Sequence, residues 1–167
     1  MNYYFIFIQV IGFIAWLFLL FSYYRKKSNN IIIFQIIGNI LFMLHYYLLN
    51  AFSGLLLCLC DFVFDTGYVK VNNKLLVYLI SIPIRVICGF MFYSSIIDVL
   101  PIVASLIEGY SLTCNKKIIV IGGIITYILW FMYDVLVISL SGAISDMIII
   151  VSNIIILINI FKKKEIK

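Results

Sequence analysis

The 167 residues are 65% hydrophobic and only 11% charged, with a mean hydropathy of +1.20. A soluble domain is typically about 45–50% apolar and about 25% charged, and surface-to-volume scaling gives a chain of this size no interior able to hide so much apolar surface. A soluble fold is therefore excluded, and the net charge of +5 does not point to nucleic acid, because the basic residues fall in short clusters between apolar runs, as topogenic signals do.

Crossing about 30 Å of hydrocarbon takes about 20 apolar residues. Seven segments qualify, at 3–24, 31–49, 52–69, 75–93, 96–113, 118–138 and 142–161. The first is not a signal peptide: Arg25-Lys26-Lys27 follows the apolar run instead of preceding it, the run is too long, and no small-residue cleavage site closes it. The separators are short. Alternate ones carry Arg25, Lys26 and Lys27, then Lys70 and Lys74, then Lys116 and Lys117, then Lys162, Lys163, Lys164 and Lys167. Eleven of the twelve basic residues thus share one side, and the twelfth, Arg85, lies inside a span. The positive-inside rule then puts the N-terminus outside and the C-terminus in the cytoplasm.

A shift of 88 residues brings landmarks into register: Leu41 onto Leu129, Phe42 onto Trp130, Leu48 onto Leu136 and Ser53-Gly54 onto Ser141-Gly142. Spans one to three match spans five to seven, and span four is left as a connector. The expected architecture is all-α and polytopic: a first three-helix bundle (1–70), a linker helix (71–93), a second, parallel three-helix bundle (94–161) and a basic cytoplasmic tail (162–167). Parallel repeats around a central site are one transporter plan.

Ionisable groups within a span are costly and are functional candidates by default. Span three holds Asp61 and Asp65, four apart and so on one helical face. Arg85 lies in span four, Glu108 in span five, Asp134 near the end of span six, Asp146 and Asn153 in span seven, and His45 in span two. Under the same shift Asp65 falls on Asn153, Cys58 on Asp146 and His45 on Tyr133. Arg85 has two readings: it pairs with Asp61 or Asp65, or it binds an anion in a cavity. Glu108 reads as a snorkelling or loop-pairing residue against a proton carrier, Asp134 as interfacial, and His45 as a hydrogen-bonded packing residue against a ligand. The aromatics at 42–47 and 130–133 are either belt anchors or walls of a solute pocket. Pro83 and Pro101 can bend spans four and five, and Gly12, Gly38, Gly89, Gly109, Gly122 and Gly123 suit close helix packing. Cys58, Cys60, Cys88 and Cys114 have no zinc-like spacing and read as apolar packing residues. No catalytic motif, cofactor or metal site is indicated.

Several segments resemble the YgjV-type family of bacterial inner-membrane proteins: 34–42 followed by His45-Tyr46, then 51–54, 100–105 and 129–133, and finally Ser139, Gly142, Asp146 and Ser152-Asn153. That family is in turn similar to the SWEET, PQ-loop and nicotinamide-riboside-type transporters. The resemblance implies a SWEET-like 3+1+3 arrangement in which polar residues of the third helix of each bundle face a central substrate, flanked by aromatics of the second. By position these are Asp65 and Asn153, with Trp130 and Phe42. Gln35 has no preceding Pro, so the Pro-Gln pair associated with rocking is absent. The expectation is a small-solute transporter or facilitator of the bacterial inner membrane, not an enzyme, with Asp61, Asp65, Asp146, Asn153, Arg85, Trp130, Phe42 and His45 at a midplane site. The alternative is a non-transporting scaffold or partner subunit. Expected partners are the lipid bilayer and a small solute, with no nucleic acid; self-association into a homo-oligomer stays open.

Overall fold

The computed structural model describes residues 3–23 and 28–165; the side chains at 22–23, 28–32, 35, 65, 66, 68–70 and 163–165 lie outside the described set, and with them Arg25-Lys26-Lys27 and the carboxylate of Asp65. Seven α-helices follow one another: α1 Tyr3–Tyr23, α2 Ser28–Leu48, α3 Phe52–Lys70, α4 Lys74–Met91, α5 Val99–Leu112, α6 Lys116–Leu136 and α7 Leu140–Glu165. No strand occurs among the described residues. Helices satisfy every backbone N–H and C=O within the segment, which lipid cannot do for them. Among the described residues, four stretches are long and apolar enough to cross a membrane: Tyr3–Phe21, Lys74–Met91, Lys116–Leu136 and Leu140–Lys162. Shorter apolar stretches occupy Ile36–Leu48 and Phe52–Phe64.

Two boundaries depart from expectation. Helix α5 begins at Val99, after a 3-10 turn at Ile96–Asp98, because Asp98 folds back to accept from the amides of Ser94 and Ser95 at 2.9 and 3.0 Å. Pro101 therefore sits in the first turn of α5, where its missing N–H costs nothing, and is no kink. Helix α7 continues past 161 to Glu165. Asn115 starts α6 by accepting from the amides of Lys117 and Ile118, and Asn73 starts α4 by accepting from Leu76.

The α2–α3 and α6–α7 turns are the same structure, 88 residues apart in sequence. Asn50 and Ile138 both take positive φ, at 58° and 59°. Around them Leu49, Asn50, Ala51 and Leu55 donate to the carbonyls of His45, Tyr47, Tyr46 and Ala51, while Val137, Ile138, Ser139 and Ala143 donate to those of Tyr133, Val135, Asp134 and Ser139. Asn tolerates the left-handed region, but a β-branched residue there is strained by about 1–2 kcal/mol. Ile138 is more than half exposed, so relieving the strain removes little packing. Ile138→Asn is accordingly expected to stabilise the protein by about 1 kcal/mol, read as a raised unfolding midpoint in detergent. An unchanged or lowered midpoint would count against strain at this turn.

Contacts beyond chain neighbours follow the same correspondence. Helix α1 packs on α7, and α5 packs on α3, while α4 lies against both α3 and α5. The buried core gathers near the two equivalent turns: Ala15, Phe42, Tyr46, Ala51, Leu57, Ile102, Ala104, Trp130 and Tyr133. Its polar counterpart includes His45, Ser53, Asp98, Asp134, Ser139 and Ser141. Towards the lysine-bearing ends the helices turn apolar side chains outward; no described residue of α7 after Asp146 is fully buried. Close packing uses small residues as expected: a Cβ on Gly12 would meet Ser141 Oγ at 1.9 Å, and one on Gly89 would meet Ile102 Cγ1 at 2.3 Å.

Candidate functional site

The two equivalent turns meet. Tyr46 and Asp134 correspond under the 88-residue shift, and the Tyr46 hydroxyl donates to Asp134 Oδ1 at 2.9 Å. The neighbouring contacts are reciprocal in the same sense. His45 Nε2 lies 3.3 Å from Ser141 Oγ, and the equivalents of these residues, Tyr133 and Ser53, share a hydroxyl hydrogen bond of 3.1 Å. The Gly54 amide adds a donor to Tyr133 at 3.1 Å.

Further polar side chains fasten this end. Gln9 of α1 donates to the Ile138 carbonyl at 2.8 Å and accepts from the Ser141 amide at 3.3 Å. Asp98 accepts from the hydroxyl of Ser53. Burial alone would raise the Asp98 carboxyl, but the hydrogen bonds from Ser53, Ser94 and Ser95 outweigh it and hold the group below its ordinary 3.8. His45 Nδ1 must donate to the Ile8 carbonyl at 2.9 Å, which leaves Nε2 of a neutral ring to accept from Ser139 at 3.0 Å. His45 is thus a fully satisfied buried histidine, as the packing reading anticipated.

Beneath the seal lies an aromatic group. The Tyr46 ring stands 6.0 Å from Trp130 and 6.3 Å from Tyr133, and Trp130 stands edge-on to Tyr133 at 5.9 Å. Phe42 packs on Tyr46 at 6.4 Å. All four rings are buried, so they line the core and are not belt anchors. Tyr47 and Met132, one residue removed from two of them, face outward instead. Asp134 is only 1% exposed, since the chain folds back at 137–139 and covers it. Asp146 and Cys58 also lie within electrostatic reach of Tyr46. Asn153 is set further along α7, against Gly123 of α6.

The remaining candidates form a separate group. Arg85 Nη2 sits 3.1 Å from Asp61 Oδ1, the guanidinium lies 5.5 Å from the centre of the Phe64 ring, and Ser105 of α5 donates its hydroxyl to Asp61. Of the two readings for Arg85, pairing holds. The pair ties α3, α4 and α5 together, away from Asp146 and Asn153, so the structure does not bring all the predicted site residues into one place. An open recess of about 600 Å³ is lined by Asn72, Asn73, Lys74, Leu75 and Thr113, at the opposite end of the helices from the seal.

A family described as Imp-YgjV, bacterial inner membrane protein, matches residues 6–164. The chain belongs to the Imp-YgjV family. No curated protein and no solved structure matches it. Membership and the apolar helices together make this Imp-YgjV chain a multi-pass protein of the bacterial inner membrane. Several residues that matter to its core were not among the candidate site residues: Gln9, Tyr46, Asp98, Ser105 and Ser139. Two had a readable signal. Ser95 followed three residues later by Asp98 is a capping-box spacing, and Tyr46 coincides with Asp134 under the repeat shift. Gln9, Ser105 and Ser139 had none, because their partners lie on distant helices.

Proposed function

We propose that the chain is a small-solute carrier or facilitator built from two parallel three-helix halves joined by α4. On this reading all seven helices cross the bilayer, the N-terminus lies outside and the lysine-bearing ends face the cytoplasm, in keeping with the positive-inside rule. What supports it is the reciprocal set of contacts between the two equivalent turns: His45 to Ser141, Ser53 to Tyr133, and Tyr46 to Asp134. Contacts of this kind close one end of a two-fold assembly, while the opposite end of α7 holds no fully buried described residue. That asymmetry fits the outward-closed state of a carrier. The solute-facing positions are then Phe42, Trp130, Asp146 and Asn153, below the seal. Arg85 and Asp61 serve as a fixed joint, and His45 belongs to the seal.

The test is ligand-induced thermal shift and uptake in proteoliposomes across a panel of sugars, nucleosides, amino acids and organic acids. A solute that raises the melting temperature or accumulates, and loses the effect in Trp130→Ala and Asn153→Ala, carries the reading. Signals that survive both substitutions would refute the site.

One observation favours a second reading, a non-transporting membrane scaffold: the aromatic group and the Arg85–Asp61 pair fill their surroundings tightly. Silence across the whole panel, with co-purification of a defined membrane partner, would favour it.

A further inference from the structure

The α6–α7 turn region encloses two carboxylates, Asp134 and Asp146, at 1% and 7% exposure. Their surroundings treat them differently. Asp134 receives the Tyr46 hydroxyl at 2.9 Å. Oδ2 of Asp146 is enclosed and has no hydrogen-bond partner among the described residues.

Among the described residues no cation balances them. Asp134 of α6 stands against Gly142, which lies one turn before Asp146 on the same face of α7; Tyr46 of α2 bonds to Asp134, and Cys58 of α3 lies within electrostatic reach of Tyr46. Helix α1, which also packs on α7, contains no Asp, Glu, Lys, Arg or His. Arg85 is committed to Asp61. His45 has both ring nitrogens engaged, by Ile8 on one side and Ser139 and Ser141 on the other.

An ionised carboxylate without a partner in a low-dielectric interior neutralises itself instead of bearing the desolvation cost. Two carboxylates sharing such a site cannot both ionise. The Tyr46 hydroxyl selects Asp134 as the charged member. The group without a donor on Oδ2, Asp146, is the one that takes the proton.

We propose that the Asp134–Asp146 pair is a buried proton-binding site, with one proton held on Asp146 in the closed state. An alkali cation is the competing occupant of two carboxylates, and the experiment below distinguishes it from a proton. The site sits against the seal. Losing the proton places a second negative charge beside the carboxylate that anchors Tyr46, so proton occupancy and closure of this end are linked. The inference stands on the enclosed carboxylates and does not require that a solute crosses.

Infrared spectroscopy of the full chain in lipid nanodiscs tests it. At neutral pH the wild type is expected to show a protonated-carboxyl C=O stretch that shifts in D2O and disappears in Asp146→Asn, while Asp98→Asn leaves it in place. As a second measurement, unfolding the wild type in lightly buffered solution releases one proton more per chain than unfolding Asp146→Asn. Should Asp146→Asn fold poorly, Asp146→Glu carries the test: it should keep a protonated-carboxyl band, displaced in frequency from that of the wild type. A band that survives Asp146→Asn, or a wild type that releases none, overturns the proposal. So does a band that appears only when Na+ and K+ are removed, which would identify a cation site. Failure of the solute panel leaves these outcomes untouched.

Discussion

Arg85→Ala is expected to destabilise the protein by about 3–5 kcal/mol, the usual cost of removing one partner of a buried ion pair. Arg85 is fully buried, and its charge is met by Asp61 at 3.1 Å. Truncation leaves the Asp61 carboxylate enclosed, with only the Ser105 hydroxyl to stabilise it. It also removes the guanidinium that lies over the Phe64 ring. The loss would appear as a lowered unfolding midpoint in SDS titration or thermal melting. The paired substitution Arg85→Leu with Asp61→Leu is the informative control. Replacing both charges by apolar groups is often neutral or stabilising, because it removes two desolvation costs together with their mutual attraction. A large loss for the single variant and a small one for the double identifies the pair as a mutual neutraliser. Equal losses in both would mean that Arg85 acts through packing alone, and an unaffected single variant would show that the pair contributes nothing. In a carrier this joint would hold α4 to α3 and α5 while other surfaces move.

The sequence made the helices legible because membrane helices are written in long apolar runs and interrupted by charge. Six of the seven expected spans coincide with a described helix to within a few residues. The exception, α5, lost its first turn to a polar cap. Hydropathy averages over Ser94, Ser95 and Asp98 and cannot register that their side chains bond to one another. The 88-residue register was legible too, and it reappears in the geometry of the two turns, down to positive φ at Asn50 and Ile138. Candidate site residues fared less evenly. Arg85 and Asp61 could be paired from the rule that intramembrane charges find partners. Asp134 could be placed near a helix end, but not its burial, because the turn that folds over it brings in residues from other helices. Tyr46 was passed over as one aromatic among many. Its role comes from lying opposite its own repeat equivalent, which requires knowing where the axis falls. Hydrophobic patterning reports which face is apolar, but it does not report which polar side chain on one helix meets which on another.

Gly142→Ala should cost about 1–3 kcal/mol, as overpacking of a well-filled core does. A Cβ at this position would stand 1.7 Å from Asp134 Oδ2, 2.6 Å from its Cγ and 2.6 Å from Ser139 Oγ. The carboxylate cannot step aside freely, because Tyr46 holds Oδ1 from the other side. Either that hydrogen bond breaks or the start of α7 moves off the turn. Gly67→Ala provides the contrast. There the new Cβ would meet only Val77 Cγ1, at 3.4 Å, and the change removes the roughly 1 kcal/mol helix penalty of glycine. It should therefore leave stability unchanged or raise it. Combining Gly142→Ala with Asp134→Ala separates the two routes of damage. If the clash with the carboxylate is the cause, deleting the carboxylate restores part of the loss, and the double variant melts higher than the sum of the single effects implies. If the double variant shows simple additivity, the glycine is needed by the turn backbone and not by Asp134. Gly54→Ala makes the parallel case at the matching turn: its Cβ would meet Tyr133 Cε1 at 2.7 Å. A ring is larger and less easily displaced than a carboxylate, so Gly54→Ala should be at least as costly as Gly142→Ala, and the order of the two melting points tests whether the two turns are equally tightly packed.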